Sequence, residues 1–167
     1  MSRPPLRTVD PDLDLVLERV VDVPPALVWR AWTTPEILVR WFTPAPWSTA
    51  ECQLDLRPGG QFRTVMRSPE GELFPATGCV LEIVPGERLV WTTLMGPGFR
   101  PAQPGVPPAD TMGFTAVIGI AAEGAGTRYV AHVMHVDAGT RQRHADMGFA
   151  DGWGAALDQL VATVRTL

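Results

Sequence analysis

Residues 137–167 read DAGTRQRHADMGFADGWGAALDQLVATVRTL. Phe149, Trp153, Leu157, Leu160, Val164 and Leu167 recur at steps of four and three, which stacks them on one face of an α-helix. Asp151, Asp158 and Arg165 recur every seven residues on the opposite, solvated face. The pattern predicts a helix from about Thr140 to Arg165, roughly 39 Å long at the usual rise per residue. A helix of that length with a single apolar stripe needs a broad surface to lie on. Gly148 and Gly152 sit beside the stripe, and glycine inside a helix costs about 1 kcal/mol relative to alanine. With Ala155 and Ala156 they form a ridge of small residues. Such a ridge serves either close packing against a neighbouring element, the plainer reading, or free volume beneath the helix.

The chain upstream supplies the surface. Leu13, Leu15 and Leu17 alternate with Asp14 and Glu18, the pattern of a half-buried strand. Arg19 falls on the apolar parity, which predicts a bulge there or a guanidinium reaching the open end of the strand, the bulge being preferred. Pro24 and Pro25 end the strand, and two short helices follow. PALVWRAWTT places Val28, Trp29 and Trp32 on one face. Thr34 and Pro35 then open PEILVRWF as N-cap and first helical residue. From Thr49 the period changes to two. Successive strands separated by RPGG, SPEGE and PGE turns read as an antiparallel meander, with Cys79, Leu81, Ile83, Leu89 and Trp91 on inward positions. Gly96–Ala109 holds five prolines and three glycines, which excludes helix and central strand and fits either a lid over a site or a merely disordered segment. Two more strands follow, and Tyr129, Ala131, Val133 and His135 share the inward parity of the last one. The order is β-α-α, six or seven antiparallel strands, then the long helix. The fold class is α+β, a curved sheet gripping the C-terminal helix. Residues 1–11 form a frayed arm and residues 12–167 a single domain.

Composition removes several functions. The net charge is −4 with both signs interspersed, which speaks against nucleic acid or an anionic membrane as partner. No apolar run reaches the length of a membrane span, and the N-terminus lacks the apolar core of a signal peptide, so the expected location is the cytoplasm, with Cys52 and Cys79 reduced. His132 and His135 are three apart on a strand and face opposite sides. With no paired Cys-x-x-Cys or H-E-x-x-H pattern, no metal and no cofactor are expected. No G-x-S-x-G elbow or phosphate-cradling loop is present either.

Aromatic residues remain. There are six tryptophans, of which Trp32 and Trp153 continue helical stripes and read as core. Trp41, Phe42 and Trp47 flank a proline-broken loop and are candidates for a pocket rim. Met66 and Trp91 add inward side chains, and Met147 adds a flexible contact next to the glycine ridge. His135 ends its strand just before the final helix. It is a histidine bonded to a nearby carbonyl, or else the polar group that orients a ligand and the one weak candidate for a general base.

The strings VWRAWTTPEILVRWF, LDLRPGGQF, SPEGE, GCVLEIVPGERLVWT and HADMGFADGWGAALDQL occur in this order over nearly the whole chain. In this the sequence resembles the helix-grip (START-like, Bet v-like, SRPBCC) superfamily. Within it, the chain is similar to the branch of activator of heat-shock-protein-90 ATPase homologues, which includes many stand-alone bacterial proteins. The resemblance implies an apolar cavity between sheet and long helix. Trp41-Phe42-Thr43-Pro44 stands where members often carry Trp-Trp-Gly, so the entrance differs. Three functions follow as expectations. The first is binding of a small apolar or aromatic molecule by a monomer or homodimer. The second is an enzyme of the polyketide cyclase, hydrolase or dehydratase type using the same cavity. The third is a co-chaperone-like stimulator of a chaperone ATPase. The eleven-residue arm, where eukaryotic co-chaperones of this name carry a further domain, counts against the third.

Overall fold

The computed structural model describes residues 7–102 and 112–167; residues 1–6 of the N-terminal arm and residues 103–111, on which most of the expected lid falls, lie outside them. Strand β1 (Asp14–Val21) is followed by α1 (Pro25–Thr33) and the single turn α2 (Pro35–Leu38). Then come β2 (Ser48–Leu54), β3 (Gln61–Arg67), β4 (Leu73–Val84) and β5 (Arg88–Thr92). The small hairpin β6 (Met95–Gly96) and β7 (Arg100–Pro101) opens the Pro/Gly segment, so its first part is ordered backbone rather than plain loop. Strands β8 (Phe114–Glu123) and β9 (Gly126–His135) lead to α3 (Ala138–Asp146) and α4 (Phe149–Val164).

The main sheet has seven antiparallel strands in the order β1-β9-β8-β5-β4-β3-β2. The final strand thus pairs with the first, and the meander carries the sheet round to β2. The inward side chains Leu89, Trp91, Ala116, Ile118, Ala131 and Val133 meet Leu157, Leu160 and Val164 of α4 in one core with Val28, Trp32 and Leu38. Burying a leucine such as Leu157 or Leu160 contributes about 1.5–3 kcal/mol, so the stripe on α4 supplies much of what fastens helix to sheet. Asp137 caps α3 by accepting a hydrogen bond from the Thr140 N–H at 2.7 Å. That contact holds the Asp137 carboxyl below the usual range. Thr34 occupies the N-cap position of α2, but its side chain makes no capping bond.

Four details differ from the sequence expectation. The helix expected over Thr140–Arg165 is broken in two at Met147–Gly148, because Gly148 adopts φ +88°, the left-handed region that ends one helix and starts the next. The close-packed glycine ridge is not formed: a Cβ on Gly148 or Gly152 would meet nothing within 4 Å. Arg19 makes no bulge, since β1 and β9 stay in register throughout. Its guanidinium instead reaches α4, donating to the Gly154 carbonyl at 3.2 Å and pairing with Asp158. The bulges fall between Thr49 and Glu51 and between Val80 and Glu82. The second exchanges parity along β4, so that Val80 stands opposite Trp91 on the inner face while Cys79 stands opposite Thr92 on the other.

Candidate functional site

The inner face of the sheet carries a row of aromatic rings. Phe62 of β3 stacks on Trp91 of β5 at 4.3 Å and 3°. Phe42, in the turn after α2, leans on both. Trp91 meets Phe114 of β8 edge-on at 5.5 Å, and Phe114 meets Trp153 of α4 at 6.0 Å. The period-two pattern of β3, β5 and β8 aims these rings at one side, and the first turn of α4 places Phe149 and Trp153 against them. The Trp91 indole N–H is buried in this row without an acceptor. Leaving such a donor unpaired costs about 1–3 kcal/mol.

Two histidines close the row. His135 stands directly across the ladder from Phe114. Its Nδ1 lies 2.9 Å from the Leu13 carbonyl oxygen and its Nε2 lies 2.8 Å from Nδ1 of His144 on α3. His144 in turn stacks on Phe114 at 5.6 Å and 25°, and meets Phe149 edge-on at 5.1 Å. Burial lowers the basicity of His135, opposed by the Leu13 carbonyl and Asp14, which favour its proton. Burial and the neighbouring His135 bring His144 down to about 4. Burial thus disfavours the charged form of both rings, and His144 is neutral at pH 7.

The residues singled out from the sequence separate into groups. Phe42, Trp91 and His135 join one cluster through Phe114. His135 takes the carbonyl partner expected of it and has a second partner besides. Trp41 is core, its indole N–H donating to the Ala31 carbonyl at 3.1 Å. Trp47 is 37% exposed and packs on Phe74 at 5.4 Å. Phe74 is the cross-strand partner of Met66, so these three gather at the far end of β3 and β4. Met147 stands apart, 75% exposed at the helix break. Sequence reasoning did not single out Phe114 or His144 and assigned Trp153 to the core alone. Phe114 had a usable signal, two residues before the inward pair Ala116 and Ile118. His144 had none, because the α4 stripe does not extend across Gly148.

His132, on the opposite face from His135, is buried and bonded to Asp14 at 2.7 Å. Among the described residues no group of three His, Cys, Asp or Glu side chains could hold a metal ion. No described helix is long and apolar enough to cross a membrane. Two surface grooves, of about 420 Å³ beside Arg57 and Phe99 and about 310 Å³ beside Glu87 and Arg128, share no residue with the aromatic row.

Comparison with known proteins agrees with this architecture. The family model described as activator of Hsp90 ATPase homolog 1-like protein matches residues 22–165. A crystal structure of a protein from Nitrosomonas europaea is 46% identical, with 95% of this chain and 97% of that one covered and a TM-score of 0.88. A Rhodobacter sphaeroides protein, 24% identical over 96% of this chain and 97% of its own, shares the fold at a TM-score of 0.80. So does an activator-like protein from Aeromonas hydrophila, at 21% identity, 92% and 93% coverage and a TM-score of 0.67. No curated protein matches the chain.

Proposed function

The chain belongs to the activator of Hsp90 ATPase homolog 1-like family, of the helix-grip type, and from that premise we propose that it binds a small apolar or aromatic molecule between the inner face of the sheet and α4. The observation that carries the reading is the aromatic row from Phe62 through Trp91 and Phe114 to Trp153, with the unpaired Trp91 N–H buried in it. A largely apolar lining with a few fixed polar groups is the usual form of a small-molecule site. Trp41, Trp47, Met66 and Met147 stand outside this row and are not part of the proposed site. The binding domain is residues 12–167, acting in the cytoplasm as a monomer or homodimer, with no metal or cofactor.

Acid–base chemistry of the polyketide cyclase type is the second reading, and the bonded His135–His144 pair is the observation in its favour. A ring whose pKa is about 4 is a weak base at neutral pH, so the pair is better suited to orienting a molecule than to abstracting its proton. A co-chaperone role, which the family's name carries, has no residue-level support among the described residues. Native mass spectrometry of protein freshly purified from its host tests the binding reading. The expected result is a noncovalent mass increment that disappears on denaturation. A bare-chain mass, together with no uptake of aromatic probes, would overturn it.

A further inference from the structure

A backbone carbonyl only accepts hydrogen bonds, so the contact with Leu13 places a proton on His135 Nδ1. In the neutral ring Nε2 is then a lone pair. The 2.8 Å contact joining the rings therefore has His144 Nδ1–H as its donor. This leaves His144 Nε2 as a lone pair with no proton. No described residue donates to it, and it is not among the side-chain nitrogens buried without a partner, so it faces accessible space. The His144 ring that carries this nitrogen is stacked on Phe114 and met edge-on by Phe149 and Trp153, with ring centroids 5.6, 5.1 and 6.3 Å away.

Resting on the proposed binding function, we infer that the bound molecule is an aromatic compound bearing a hydroxyl group, whose O–H donates to His144 Nε2. Its flat frame lies against Phe114 and Trp153. His144 is the contact residue. His135 is a positioning residue that never touches the ligand: anchored on Leu13, it holds His144 in the one neutral tautomer that presents an acceptor. Burial disfavours the charged form of both rings and keeps His144 neutral at pH 7, so the acceptor is present under ordinary conditions. An ether of the same shape expels the water from Nε2 and returns no hydrogen bond, whereas a hydroxyl replaces what it displaces.

The test uses 1-naphthol and 1-methoxynaphthalene as probes, titrated calorimetrically at pH 7 into the full chain. The wild type is expected to prefer 1-naphthol on the order of tenfold to a hundredfold. His144→Phe keeps a ring and should bind both probes alike, near the affinity of the ether. His144→Gln, whose amide oxygen accepts, should restore part of the preference. Nitrogen-15 NMR of the wild-type imidazoles reads the same atom without any substitution: the Nε2 resonance of His144 should move upfield with 1-naphthol and stay with the ether. Equal affinities in the wild type, an unmoved Nε2 resonance, or a preference surviving in His144→Phe would overturn the inference while leaving aromatic binding intact. Binding of neither probe would overturn both.

Discussion

Gly148 and Gly152 are four residues apart, yet replacing each by alanine should shift stability in opposite directions. Gly148 lies at φ +88°, where an L-residue pays about 1–2 kcal/mol, and since a Cβ there meets nothing within 4 Å the cost is purely one of backbone conformation. Gly152 lies inside α4, its N–H donating to the Gly148 carbonyl at 2.8 Å, and its Cβ position is equally open. There alanine gains the helix preference of about 1 kcal/mol without a clash. For a chain of this size 1 kcal/mol moves the melting temperature by about 2–4 °C. Gly148→Ala should therefore melt about 2–8 °C lower and Gly152→Ala about 2–4 °C higher than the wild type, read by circular dichroism or calorimetry. A stabilised Gly148→Ala, or a Gly152→Ala destabilised as much as its neighbour, would refute both the helix break and the open face of α4.

Three other outcomes are expected. His144 has a folded-state pKa of about 4 against the ordinary 6.5, so between those values the unfolded chain binds more protons and stability falls as pH is lowered through that window. Urea titrations at pH 7 and 5 should show a smaller loss in His144→Phe than in the wild type, and an equal loss would contradict the burial of that ring. Burial, with Glu36 nearby, pushes the Cys52 thiol up to about 12, and Cys79 is enclosed. Native protein at pH 8 should resist iodoacetamide by intact mass, whereas rapid labelling of Cys52 would show that its strand is open. Asp14→Ala strips the buried His132 ring of its hydrogen-bond partner and should cost about 1–3 kcal/mol, and no measurable loss would mean that the pair is not enclosed.

What the sequence disclosed follows from periodicity. Tyr129, Ala131, Val133 and His135 were readable as an inward row because a strand has only two sides, and the α4 stripe was readable because one face of that helix is dry. What it hid is conformational or long-range. Gly148 interrupts an apolar pattern on both sides of which residues still look helical, and a glycine does not announce the sign of its φ. Arg19 occupies an inward position because its long side chain can carry the charge to Asp158 at the helix, an arrangement that needs the tertiary structure to be seen. The bulge at Leu81 leaves no mark in composition, yet it decides that Val80, and not Cys79, faces Trp91. The candidate site was half legible for the same reason. His135 carried its own strand parity, whereas His144 meets it only because the turn at Asp137 folds α3 back over the end of β9.

The central claim is that small aromatic molecules bind along the inner row of rings and not in the surface grooves. A two-dimensional NMR titration of isotope-labelled protein with 1-naphthol tests it directly. The account predicts shifts concentrated on Phe114, His135, His144, Trp153 and the indole N–H of Trp91. Shifts centred on Arg57 and Phe99 instead, or none up to the solubility of the probe, would contradict it.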